Sequence, residues 1–172
     1  DAEGDFIEAL IDANMPDLAA PVITAAKKKF VYLGPRLEVL EQQGALRLGK
    51  FDQVQKIIDG KKKGSPEYWA LSLAMADAYY ARRNADPKNL AKCEELYGAF
   101  FKAVPKPTAA LQNFYEQASY IWIQMLLQQK RMGEAAKVYE GLLKIKTMDI
   151  PGFKVTEIPI TYYKNTPLER AV

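Results

Sequence analysis

A pair of hydrophobic residues four positions apart returns four times along the chain and constrains its fold more than any other feature. The first residues of the pairs lie 36, 39 and 42 positions apart along the sequence. The pairs are Leu18–Val22, Val54–Ile58, Cys93–Tyr97 and Ala135–Tyr139. Each pair opens a short amphipathic stretch that follows another helical stretch and a turn. Periods of this length are typical of helical-repeat proteins, in which each unit buries its apolar face only against its neighbours.

The local signals around these pairs predict eight helices joined by short loops. Apolar periodicity places the helices near residues 5–13, 16–30, 36–48, 51–59, 66–83, 87–104, 108–130 and 132–146. Ser65-Pro66 and Asp86-Pro87 each combine a capping side chain with a proline at the first helical position. Pro21 is expected to bend the second helix or to delay its start, and Gly60 to end the fourth in a left-handed conformation. The eight helices predict an all-α fold. Because the loops between them are short, neighbouring helices should run antiparallel.

The last 26 residues, 147–172, do not continue this pattern. Ile150-Pro151-Gly152 ends the helical periodicity, and the segment that follows, with Val155, Ile158, Ile160 and Tyr162, is typical of extended chain. We therefore expect a partly extended C-terminal tail.

The composition excludes several kinds of site. The chain has one cysteine, Cys93, and no histidine, so it lacks the commonest metal ligand and the usual general base near neutral pH. It also contains no nucleophile elbow, P-loop or dinucleotide fingerprint. We therefore expect no catalytic residues, no cofactor and no metal, and we expect Cys93 to be a small buried hydrophobe. No apolar run approaches the ~18 residues of a transmembrane helix.

Several segments resemble the tetratricopeptide repeat. The run from Met75 to Tyr80 resembles the first helix of that repeat, and the run from Gly49 to Val54 resembles its turn. The run from Glu134 to Leu143 is similar to its second helix, and Pro105 stands where many such repeats end. The likeness covers roughly residues 5–146 and about four units.

This resemblance implies a right-handed superhelix, a solenoid of antiparallel helix pairs. It places a helical-repeat domain at residues 1–146, with units near 3–33, 35–63, 65–105 and 107–146, and leaves residues 147–172 as the tail. In the tetratricopeptide family the first helix of each unit lines a concave groove that binds a peptide or protein segment. Carried over by position, the groove residues are Val39, Gln43, Arg47, Asp77, Tyr80, Tyr120, Gln124 and Gln128. The leading hypothesis is therefore a protein–protein interaction scaffold or adaptor.

Two other functions stay open at this point. The first is a structural subunit of a self-associating, envelope or surface assembly, because Phe6, Ile7, Ile158 and Ile160 would leave both ends of the array apolar. The second is RNA binding by a helical-repeat code. A net charge of +3, with basic residues grouped in loops such as 61–63, argues against nucleic acid as the partner.

The first residues bear on localisation. Asp1-Ala2-Glu3 would suit a mature end after signal-peptide cleavage, and it would suit a cloned fragment as well. We expect an exported bacterial protein, periplasmic or secreted, with a cytoplasmic protein as the alternative.

Overall fold

The computed structural model describes residues 2–30 and 33–146, and all regular structure within them is helical. The prediction of an all-α fold is confirmed for this part of the chain, whereas the predicted extended tail, 147–172, lies outside the described residues. The helices are α1 (Ala2–Asp12), α2 (Pro16–Lys29), α3 (Gly34–Arg47), α4 (Phe51–Asp59), α5 (Pro66–Ala81), α6 (Pro87–Ala103), α7 (Gln112–Gln128) and α8 (Met132–Lys146), with a 3-10 turn at Ala109–Leu111 before α7.

Both predicted capping residues begin their helices. The Ser65 hydroxyl accepts a hydrogen bond from the Tyr68 backbone N–H at 3.2 Å, and the Asp86 carboxylate accepts one from the Lys88 N–H at 2.8 Å. Each bond satisfies a donor that the first turn of a helix would otherwise leave without a partner. Proline follows each cap, where its missing N–H removes no helical hydrogen bond.

Helix α2 begins at Pro16, as the sequence predicts, and Pro21 lies inside it. Of the two effects expected of Pro21, a delayed start is therefore ruled out, and a bend stays a prediction. One local expectation needs correction. Gly60 follows α4 with φ −80°, which is right-handed, so the predicted left-handed end is wrong. Among the residues that the structure describes, the left-handed glycines are instead Gly49 and Gly64, with φ of +81° and +85°. Both lie in the loops immediately before the next helix or its cap, where the chain must turn most sharply.

The chain divides into two compact units between Ala103 and Val104. In the first unit α1 packs against α2 and α3, α3 packs also against α4 and α5, and α5 packs also against α4 and α6. In the second unit α7 packs against α8. The division falls near the predicted boundary between the third and fourth repeats, and the partition into four repeats stays a prediction.

The first unit contains two apolar clusters along its helices. The first cluster joins α1, α2 and α3 through buried side chains that include Ile7, Ile23 and Leu37. The second joins α3, α4 and α5 through side chains that include Leu46, Val54 and Met75. Helix α3 contributes to both clusters, so burial on this helix links the two ends of the unit.

The register of the first hydrophobic pair differs from its prediction. Leu18 is 58% exposed and Val22 is only half-buried, whereas Ala19 and Ile23 are 1% and 2% exposed. The pair that enters the core is therefore displaced by one residue. The second and third pairs keep their register, since both residues of each are buried. In the fourth pair Ala135 is buried and Tyr139 is half-buried.

The second unit packs α7 against α8 around small and branched side chains. Ala118, Ile123, Leu126, Ala135 and Leu142 are buried in it. A Cβ atom at Gly141 would lie 3.5 Å from the Tyr115 hydroxyl oxygen, which is ordinary van der Waals contact. A small residue at this position leaves room for the Tyr115 side chain between the helices.

Candidate binding pocket

A pocket of about 310 Å³ opens in the first unit between three helices that are not consecutive in the chain. Its walls come from α1 and the turn after it, from α3, and from α5 with the residue that follows it. Small or branched apolar side chains form part of the lining, and charged or amide groups form the rest. The lining residues are Glu8, Ile11, Asp12, Asn14, Gln43, Leu46, Arg47, Ala74, Asp77, Ala78, Ala81 and Arg82.

The acidic and basic groups of the wall on α1 and α3 are paired. The Arg47 guanidinium lies 3.8 Å from the Asp12 carboxylate, at the limit of an ion pair. The Arg36 guanidinium reaches Glu8 at 3.1 Å and Asp5 at 2.8 Å. These pairs link α1 to α3. Because the side chains are partly exposed, each pair contributes little to stability.

Arg82 lies at the end of α5 and closes the opposite wall. Its guanidinium donates a hydrogen bond to the backbone carbonyl of Arg47 at 2.9 Å and lies 5.0 Å from the centre of the Phe51 ring. Phe51 stacks on Tyr79 with ring centres 4.4 Å apart, and the Lys92 ammonium lies 5.0 Å from the Tyr79 ring. This alternation of cation and aromatic ring supports Arg82 through cation–π attraction.

Asp77 is the carboxylate of α5 in the pocket. Its Oδ1 accepts a hydrogen bond from the hydroxyl of Tyr97, a residue of α6 that is fully buried. Asp77 itself is accessible, but the concave wall shields its carboxylate from much of the surrounding water, and this desolvation raises its pKa to about 6. The Tyr97 hydroxyl and the Arg47 charge act in the opposite direction and lower that pKa. Within the described residues Asp77 has no ion pair.

The structure brings three of the eight sequence-predicted site residues into this pocket. Gln43 and Arg47 line it from α3, where they are one turn apart, and Asp77 lines it from α5. Val39 is half-buried and packs against the second apolar cluster. Tyr80 is half-buried, with the Arg83 guanidinium 4.1 Å from its ring centre.

The other three predicted residues, Tyr120, Gln124 and Gln128, lie on α7 in the second unit. Tyr120 and Gln124 are half-buried, and Gln128 is exposed. Burial, reinforced by the Glu116 charge and then by Tyr139, raises the pKa of the Tyr120 hydroxyl.

Sequence reasoning missed several residues of the pocket. Glu8 and Asp12 are four residues apart on the first helix of the chain, which is the spacing used to choose Gln43 and Arg47 on α3. Applying the same spacing to the first predicted repeat, residues 3–33, would have found them. Arg82 had no comparable signal, because it stands after the last turn of its helix. Its position depends on the packing of Phe51.

The described residues contain no group of three or more acidic, cysteine or histidine side chains that could hold a metal ion. Cys93 is buried, as predicted, and burial, reinforced by the negative charges of Asp77 and Glu94, raises its pKa to about 12. A thiol with so high a pKa carries almost no thiolate, the reactive form, at neutral pH.

Comparison with protein-family models, with curated proteins and with solved structures finds no match to this chain. Among the helices of residues 2–30 and 33–146, none combines the length and the apolar character needed to cross a bilayer.

Proposed function

We propose that this protein is an interaction module that binds a peptide segment of a partner protein in the concave surface of a tetratricopeptide-like helical array. The observation that carries the proposal is the pocket itself. Its three walls belong to α1, α3 and α5, the helices that the repeat pattern assigns as first helices of successive units. A cleft with apolar, amide and charged groups side by side suits a peptide, which offers a polar backbone and varied side chains.

The packing order of the first unit supports the same interpretation. Helix α1 contacts α3, and α3 contacts α5. Each of the three also contacts the helix that follows it in the chain. Antiparallel pairs that stack into a right-handed superhelix would produce such contacts, because each pair covers the apolar face of its neighbour.

The test is a peptide selection followed by a variant that fills the pocket. Peptides selected from a random displayed library would be measured by fluorescence anisotropy against the wild type and Ala81→Trp. Ala81 is exposed at the edge of the pocket, so an indole there would occupy the cleft without entering the core. We expect at least a tenfold rise in Kd.

The matched control is Ala91→Trp, which places the same side chain at an exposed position of α6 outside the pocket lining. It should leave Kd unchanged, and circular dichroism should show equal helix content for both variants. A library that yields no binding peptide, or peptides whose Kd is the same for Ala81→Trp and Ala91→Trp, would contradict the proposal.

A second candidate, self-association, is favoured by exposed apolar residues in the first hairpin. Phe6, Met15 and Leu18 are 55%, 48% and 58% exposed. Ile7, which the sequence analysis also assigned to an apolar end, is instead fully buried. Isolated exposed hydrophobics are common, so this observation carries less weight than the pocket.

Sedimentation equilibrium distinguishes the two candidates. If the first hairpin mediates assembly, the wild type will sediment above 19.4 kDa and the double variant Phe6→Lys/Leu18→Lys will sediment as a monomer. A wild-type monomer at the highest concentration tested would remove self-association through this surface.

A further inference from the structure

We propose that the pocket receives a basic side chain, lysine or arginine, of the bound peptide, and that Asp77 is its counter-ion. This inference rests on the proposed function and adds to it the chemistry of the ligand. The inference depends on which charged groups of the pocket already have partners within the protein.

The two guanidinium groups of the lining are both engaged within the protein. Arg47 faces Asp12 at 3.8 Å, and Arg82 is held by the Arg47 carbonyl and by the Phe51 ring. An anionic ligand would have to compete with these contacts to reach either group. The carboxylates outnumber the guanidinium groups by three to two, since Glu8, Asp12 and Asp77 all line the pocket.

Among these carboxylates Asp77 has no ion pair within the described residues, whereas Arg36 reaches Glu8 and Arg47 reaches Asp12. The Tyr97 hydroxyl holds one oxygen of the Asp77 carboxylate by a hydrogen bond, and Asp77 remains accessible. The Arg47 charge that acts on Asp77 is shared with Asp12, so a further cation that approaches Asp77 would stabilise its carboxylate. A lysine or arginine side chain supplies that cation, and its apolar stem matches the Ile11, Leu46 and Ala78 portions of the lining.

The same geometry makes binding sensitive to pH. The charge of Asp77 is lost as the pH falls through about 6, so its attraction for a cation weakens there. The ionisable groups that line the pocket or face Asp77 from the neighbouring helices are Glu8 and Asp12 on α1, Arg47 on α3, Arg82 after α5, and Tyr97 and Cys93 on α6. Tyr97 and Cys93 have raised pKa values and stay neutral between pH 5 and 7.5.

The experiment uses three small probes of equal backbone: the Nα-acetyl methylamides of lysine, norleucine and glutamate. Each would be titrated into the 15N-labelled full chain at pH 7.5 and at pH 5, and Kd read from the amide shifts of residues that line the pocket. We expect lysine to bind about fivefold more tightly than norleucine at pH 7.5, the range of a partly exposed ion pair. At pH 5 this preference should fall to about twofold or less.

Asp77→Asn keeps the size of the side chain and an acceptor for the Tyr97 hydroxyl while it removes the charge. It should make the lysine and norleucine Kd values equal at both pH values. The matched control is Asp52→Asn, which removes an exposed carboxylate of α4 outside the pocket and should preserve the preference. The amide spectrum of each variant reports whether it is folded, and the two pH values provide the same comparison in the unaltered chain.

Equal lysine and norleucine Kd values at pH 7.5, or tighter binding of the glutamate probe, would overturn the inference. The proposed function would still stand if selected peptides distinguished Ala81→Trp from Ala91→Trp. Conversely, a lysine preference that depends on Asp77, without any selected peptide that binds the pocket, would support the ligand chemistry and contradict peptide recognition.

Discussion

The hydroxyl of Tyr97 donates a hydrogen bond to the carboxylate of Asp77, and this contact connects the pocket to the buried interface between α5 and α6. The two residues are 20 positions apart in the sequence. Because the Tyr97 ring is fully buried, its hydroxyl has a fixed position. The orientation of the pocket carboxylate is therefore determined by packing on the far side of α5.

Replacing Tyr97 by phenylalanine tests this connection. The ring and its packing remain, and only the donor is removed. Asp77 stays accessible and can bond to water, so we expect a loss of about 1 kcal/mol in the free energy of unfolding. The Asp77 pKa should rise further, because the lost hydrogen bond favoured the charged form. Urea denaturation measures the first effect, and carboxyl 13C shifts against pH measure the second.

A Tyr97→Phe variant with the wild-type Asp77 titration would show that the hydroxyl does not act on the carboxylate. Tyr79→Phe is the matched control, since the Tyr79 hydroxyl has a long 3.4 Å contact with the Lys92 ammonium and Tyr79 is only half-buried. It should leave the Asp77 midpoint where it is.

The raised pKa of Asp77 predicts how stability depends on pH. The pKa is about 6 in the folded protein and near 3.8 in the unfolded chain, so between these values the folded state binds more protons. This contribution is fully present below pH 3.8 and is lost as the pH rises through 6. Asp77→Asn removes the titration, so the free energy of unfolding of this variant relative to wild type should increase from pH 4 to pH 7.

The measurement is a series of urea midpoints for both proteins at pH 4, 5, 6 and 7. Because Asp77 is accessible to solvent, the change in stability difference between the two proteins will be small, and the direction of that change with pH is the test. A difference that stays constant over this range would mean that Asp77 titrates at its ordinary value. Asp52→Asn, in an exposed position of α4, is the matched control for the loss of one carboxylate.

Much of the helical framework could be predicted from the sequence, because its signals are local. Serine, aspartate and proline at the starts of α5 and α6 act through neighbouring backbone groups, and they indicate the correct boundaries. The end of α4 could not be predicted in the same way, because Gly60 is followed by further loop residues and takes a right-handed conformation. Periodicity alone could not choose between Leu18 and Ala19, because that choice depends on how closely α2 approaches α1 and α3.

The candidate site could be predicted only in part, for a related reason. Gln43, Arg47 and Asp77 could be chosen from their positions in the predicted repeats, and they line the pocket. The contribution of Arg82 depends on the Phe51 ring and the Arg47 carbonyl, and both contacts arise from tertiary packing. The Tyr97 hydroxyl similarly becomes relevant to the pocket only once α6 is packed on α5.

Gln42 gives a prediction about stability that is independent of the pocket. Its side chain is 4% exposed, and its Oε1 has no hydrogen-bond partner among the residues that the structure describes. An unpaired buried acceptor loses its interactions with water on folding and costs about 1–3 kcal/mol. Gln42→Met keeps the length of the side chain and removes the polar group, so it should raise the free energy of unfolding by about 1 kcal/mol.

The control, Gln53→Met at an exposed position of α4, should change the free energy of unfolding by less than about 0.5 kcal/mol. A Gln42→Met variant less stable than wild type would show that the amide is satisfied in solution.

The register of α2 can be tested by the same substitution at two adjacent positions. Ala19 is 1% exposed and belongs to the first apolar cluster, whereas Leu18 is 58% exposed. Ala19→Lys would force a long charged side chain into the contact of α2 with its neighbours, and we expect it to lower the free energy of unfolding by about 3 kcal/mol or more. Leu18→Lys should change it by less than about 0.5 kcal/mol, because the new ammonium remains in water. Urea denaturation of the two variants at neutral pH gives the comparison directly. If Leu18→Lys were the more damaging change, Leu18 and Val22 would be the core pair and the helix would be rotated by one residue from its position here.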